Sequence, residues 1–167
     1  GGLVIGSRDI MKTLSPTFQY NRLRTLNVNL HDDVNLTVAG AQHLTDALSM
    51  FTSLRKFQFS IEYGGADRLL AEIVTVLDKH QNLRELTLEG NYIGRDSYIA
   101  LGQLLQNSKL ESLDLNKNHL SYEGATMFGK SLGQKNTVKR LSLCQIRRKD
   151  SKYITSDGWA SIFQGVA

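Results

Sequence analysis

The chain has 167 residues, 41% of them hydrophobic and 22% charged, the make-up of an ordinary globular domain able to bury a core. No run approaches the roughly 18 apolar residues of a membrane-spanning helix, and Gly1 to Gly6 lacks the basic start of a secretion signal. A net charge of +4 is too mild to make nucleic acid the expected partner. The single cysteine, Cys144, excludes an internal disulfide framework and points to a reducing, intracellular and cytoplasmic setting.

From the N-terminus, Gly6, Ile10 and Leu14 are spaced as a turn leading into a helix over residues 6–22, which Pro16 disturbs. Leu23, Leu26 and Val28 then follow the one-four-six spacing of a short strand. A loop around Asp33 to Ala39, three residues longer than its counterparts, leads to a helix bearing Leu44 and Leu48 behind Gly40. The next strand is phenylalanine-based, with Leu54, Phe57 and Phe59, and is followed by a Gly64-Gly65 turn and the helical pair Ile73 and Leu77. Leu83, Leu86, Leu88, Asn91 and Ile93 spell Leu-x-x-Leu-x-Leu-x-x-Asn-x-Leu, with Ile in the last place, before the pair Leu101 and Leu105. Leu110, Leu113, Leu115, Asn118 and Leu120 repeat the phrase before Phe128 and Leu132, which stand behind Gly124. Val138, Leu141 and Leu143 open a last copy, interrupted by a charged insertion around Arg147 to Ile154 and resumed at Gly158, Trp159 and Ile162.

The starts at 23, 54, 83, 110 and 138 lie 31, 29, 27 and 28 residues apart, a fixed period of strand, loop and helix. One such unit cannot bury its own apolar face, so the copies must stack. The expected fold is an α/β solenoid with a parallel sheet inside and helices outside, one domain over residues 1–167 with a partial copy ahead of the first. No polar closing unit is legible at either end, which reads as a piece of a longer chain. Asn91 and Asn118 stand where the strand ends, and a buried amide there can satisfy backbone groups that the turning chain leaves unpaired. His31, Glu62 and Ile146 occupy that slot in the other copies, whose turns must be held differently.

The segment Leu110 to Leu132 resembles the ribonuclease-inhibitor-type leucine-rich repeat, and the resemblance covers most of the chain. It implies a horseshoe that binds a protein partner and is not an enzyme. Proteins similar in repeat type also activate small GTPases or form the substrate-recognition part of larger assemblies such as ubiquitin ligases, so both stand as alternatives.

In such a repeat the second, third, fifth and seventh residues of each copy face the concave side or its rim. The candidate partner-binding residues are Arg24, Arg55, Arg84 and Lys139 from the second place, Lys56, Glu85 and Arg140 from the third, Gln58, Thr87 and Asp114 from the fifth, and Asn116 from the seventh. An arginine and lysine column can grip carboxylates on a partner, although any solvent-facing strand edge carries polar residues. No Trp or Tyr lies in these columns. Aromatic anchors are therefore expected in the loops, at Tyr63, Tyr92 and Tyr122. The basic run Arg147 to Lys152 is a second candidate contact, or simply a solvated loop.

Other chemistry lacks a motif. His31, His43, His80 and His119 form no ligand pair, neither a phosphate-binding loop nor a dinucleotide fingerprint is present, and no base is spaced to activate Cys144. Neither a metal, a cofactor nor a small-molecule substrate is expected. Asn35-Leu36-Thr37 fits the glycosylation triplet, which matters only in a secreted chain.

Overall fold

A computed structural model describes residues 2–6, 22–30, 38–61, 67–120, 122–134 and 137–144, together with 160 and 162. Within them the chain alternates strand and helix: β1 (Gly2–Gly6), β2 (Thr25–Leu30), α1 (Val38–Met50), β3 (Lys56–Ile61), α2 (Asp67–Leu77), β4 (Glu85–Thr87), α3 (Arg95–Asn107), β5 (Ser112–Asp114), α4 (Tyr122–Leu132) and β6 (Arg140–Ser142). The strands form one parallel sheet in sequence order. Each helix packs on the next, α1 on α2, α2 on α3 and α3 on α4.

Periodicity explains both layers. In β2 the residues Leu26, Val28 and Leu30 are buried while Thr25, Asn27 and Asn29 are half-buried, because successive strand side chains point to opposite faces. Phe57 and Phe59 do the same in β3, with their rings 6.4 Å apart. The helical pairs Leu44 and Leu48, Ile73 and Leu77, Leu101 and Leu105, Phe128 and Leu132 are all buried against these strands in a single core, which Ile162 also joins. Each fully buried leucine contributes about 2 kcal/mol from its transfer out of water, and the neighbouring copy supplies much of the surface that buries it.

The first strand departs from the sequence reading. Gly6 had been placed at a turn, but it closes β1, which pairs in parallel with β2 in the register Leu3 with Leu26 and Ile5 with Val28. Leu3 and Ile5 thus hold the fourth and sixth places of a preceding copy. A strand of five residues, two of them glycine, gave too little alternation to stand out. Residues 7–21 of the segment expected as turn and helix over 6–22, the turns at His31, Glu62 and Ile146, the Gly64-Gly65 turn and the insertion from Arg147 lie outside the described residues, as do Tyr63, Gly158 and Trp159.

Two devices lock copy to copy. The first is an amide ladder. Asn118 accepts the Asn91 backbone N–H at 2.8 Å and donates to the carbonyls of Leu88 at 2.7 Å and Leu115 at 2.9 Å. Asn91 accepts the Ile61 N–H at 2.9 Å and donates to Phe59 O at 2.7 Å. Each asparagine therefore serves the copy before it as well as its own, so the end of β3 is held by the asparagine of the next copy.

The second is a borrowed helix cap. The N-cap of α3 is Gly94, which has no side chain to offer. The carboxylate of Asp67, at the start of α2, accepts instead from the backbone N–H groups of Gly94 at 2.9 Å, Asp96 at 3.2 Å and Ser97 at 3.1 Å. A negative charge there also meets the positive end of the helix dipole. Glycine is required at 94 because a Cβ would lie 2.6 Å from Asp67 Cγ. Gly124, read from sequence as a turn into its helix, lies within α4 and is small for a different reason: a Cβ there would come 2.9 Å from the ring of buried Tyr98.

Candidate interaction surface

The face of the sheet turned away from the helices is built from the third and fifth residues of each copy. Their registers are continuous: Thr25 with Lys56, Lys56 with Glu85, Glu85 with Ser112 and Ser112 with Arg140, then Asn27 with Gln58, Gln58 with Thr87, Thr87 with Asp114 and Asp114 with Ser142. The second-place residues stand just ahead of the strands and are tied by backbone bonds. Arg55 N–H donates to Arg24 O at 2.8 Å, Arg84 N–H to Arg55 O at 2.8 Å, Glu111 N–H to Arg84 O at 2.8 Å and Lys139 N–H to Glu111 O at 2.9 Å. Thr25, Asn27, Lys56, Gln58, Glu85 and Thr87 line a shallow hollow of about 140 Å³ over β2, β3 and β4.

Many of the candidate side chains are engaged with one another. Lys56 pairs with Glu85 at 2.9 Å, and Glu111 sits between Arg84 at 4.0 Å and Lys139 at 3.1 Å. The Arg84 guanidinium also donates to Gln81 O at 3.0 Å and Leu83 O at 2.9 Å, which fixes it along the loop rather than out into solvent. Asp114 accepts the Asn116 N–H at 2.9 Å, and Asn116 in turn accepts the Cys144 N–H, so these two hold the bend at the strand end. Arg24, Arg55 and Arg140 are exposed and form no ion pair with another described residue. Gln58 and Thr87 are half-buried on the hollow. The Oδ1 atoms of Asn27 and Asn29, closed off from solvent, have no donor among the described residues.

Beyond the strand ends a rim follows. Lys117 pairs with Glu89 at 2.6 Å, and that hydrogen bond and charge hold its ammonium above the usual lysine range. Tyr92 is 45% exposed and stacks on His119, centroids 4.6 Å apart and planes 18° from parallel. Tyr92 had been expected as a loop anchor; its histidine partner was missed. The two occupy the same place in successive copies, one residue after the asparagine, so the repeat register could have shown the pair. Tyr92 and Lys117 both adopt positive φ, 53° and 55°. The side chain of Tyr122, the third aromatic anchor expected, lies outside the described residues.

On the helix side, Gln42, Thr45, Arg68, Ala71, Glu72, Thr75 and Val76 border an open groove between α1 and α2. Among the described residues no group of three His, Cys, Asp or Glu side chains could hold a metal ion, and no helix is long and apolar enough to cross a membrane.

Six parallel strands in sequence order, each strand after the second preceded by a helix of the outer layer, define a repeat solenoid. The leucine-rich repeat family matches residues 106–129, the end of α3 through β5 into α4, and the fold is accordingly a leucine-rich-repeat solenoid. No curated protein matches the chain.

Proposed function

We propose that the chain is a protein-binding module that receives a protein partner on the open strand face and the adjoining rim, without catalytic chemistry of its own. The observation that carries this reading is the in-register polar surface of the third and fifth rows, fixed on a sheet whose opposite face packs into the core. A surface already ordered by the fold loses little conformational freedom on binding, and leucine-rich repeats are typically non-enzymatic interaction modules. The repeat period near 28 residues supports the ribonuclease-inhibitor-like subtype and a single domain of five copies behind a first strand. The exposed free thiol of Cys144 fits a reducing intracellular setting.

Gln58 and Thr87 sit in the middle of the face, so Gln58→Trp with Thr87→Trp should block it without touching the core. Affinity capture from cell extract is expected to lose the bound protein with this pair and keep it with Thr75→Trp on the helix layer. Retention by the first variant and loss by the second would move the binding surface to the helices.

A further inference from the structure

The second-place column carries two electrostatic halves. From β4 onward its charges close on themselves, with Arg84 and Lys139 sharing the Glu111 carboxylate. At the other end Arg24 and Arg55 are backbone neighbours, Arg55 N–H to Arg24 O at 2.8 Å, and both side chains are exposed without a counter-charge among the described residues. Lys56, the next cation, already has Glu85. Two guanidiniums just ahead of adjacent strands, with no donor engaged among the described residues, make the arrangement that receives carboxylates in paired hydrogen bonds. The hollow begins one residue further along each strand, at Thr25 and Lys56.

We infer that the Arg24–Arg55 end of the open face is the recognition site for an acidic peptide segment of the protein partner, with its carboxylates on the two guanidiniums and its chain running over the hollow toward Gln58. This rests on the reading of the open face as the partner surface. A nucleic acid fits less well, because a phosphate chain continuing across the face would meet Glu85, Glu111 and Asp114 within the next two strands. The two arginines, unpaired among the described residues, suit a short acidic stretch rather than a polyanion.

The test is fluorescence anisotropy of a labelled peptide of alternating glutamate and serine, with a lysine-serine peptide and an oligothymidylate as comparison probes. Each is titrated with the intact chain, with Arg24→Glu/Arg55→Glu, and with Arg68→Glu/Lys130→Glu, which makes the same charge change on the helix layer. The acidic peptide is expected to bind the intact chain and to weaken about tenfold or more with the Arg24/Arg55 pair, while the helix-layer pair changes it less than about threefold. Circular dichroism establishes that each variant is folded. Equal loss in both variants would mean net charge rather than a site. An oligothymidylate that binds as tightly through the same two arginines would make the surface a phosphate site. If the acidic peptide binds nothing while the Gln58/Thr87 blockade still releases a captured partner, the open-face reading survives and the acidic partner does not; the converse result would separate them the other way.

Discussion

In β2 and β3 the strand runs six residues, to Leu30 and Ile61, whereas β4 and β5 stop after three, at Thr87 and Asp114. The copies of β4 and β5 have an asparagine at the bend and those of β2 and β3 have His31 and Glu62 in that slot, while β6 is as short as β4 with Ile146 there. Past β4 and β5 the copies stay joined by backbone bonds, Leu88 N–H to Asp114 O at 2.8 Å and Gly90 N–H to Asn116 O at 3.0 Å, and a buried amide with one acceptor and two donors adds partners for the groups that the bend turns inward. The comparison also shows that the asparagine is shared property. Asn91 completes the end of β3 from the neighbouring copy, through Ile61 N–H and Phe59 O.

Removing that amide gives the largest expected effect. Asn118→Ala strands the Asn91 N–H and the Leu88 and Leu115 carbonyls in a buried place, and should cost about 3 kcal/mol in chemical denaturation. Asn91→Ala should cost a similar amount and also loosen the end of β3, read as faster amide exchange at Ile61. A loss under about 1 kcal/mol would show that water replaces the ladder and that the two kinds of turn are equivalent.

A middle-sized effect concerns the borrowed cap. Gly94→Ala drives a methyl group into the Asp67 carboxylate and should cost about 1–2 kcal/mol, much as Asp67→Ala does by removing the cap. The double variant should be little worse than either single one, because the clash disappears with the carboxylate. Full additivity would mean that the two residues do not act together.

Alkaline titration probes the same contact between copies. Burial, and secondarily the charge of Asp67, raises the Tyr98 hydroxyl well above its ordinary value of 10.0, so the folded state keeps a proton that the unfolded chain gives up. Its contribution is complete below pH 10 and is lost as the pH rises further; Lys117, also raised by its partner Glu89, has the same sign. Stability should therefore fall above about pH 10, and Tyr98→Phe should flatten the fall. An unchanged slope in that variant would show that Tyr98 does not carry it.

The smallest effect lies at the bend itself. Gly90 at φ 73° and Lys117 at φ 55° are equivalent positions in the two asparagine copies. Lys117→Gly should raise the melting temperature slightly by relieving a left-handed conformation, against loss of an exposed ion pair worth little. Lys117→Val should lower it, since a β-branched residue resists positive φ. A fall in both would give the Glu89 pair the larger share.

Period, strand and helix were written in the leucines, because a solenoid buries the same places in every copy and the pattern repeats with the structure. The roles of Asn91 and Asn118 as backbone partners followed from their place in that pattern, though not that each reaches into the copy before it. Side-chain traffic between copies was hidden. Asp67 capping a helix 27 residues away, Gly124 yielding to Tyr98, and the division of the second-place column into an ion-paired half and one without an ion pair among the described residues all depend on which residues the stacking brings side by side. Sequence determined the architecture of this protein, since one-dimensional repetition is how a stacked core is encoded. Tertiary structure alone decided which polar groups are spent on holding the copies together and which, like Arg24 and Arg55, stay exposed without an ion pair among the described residues, because that depends on distances across strands and not along the chain.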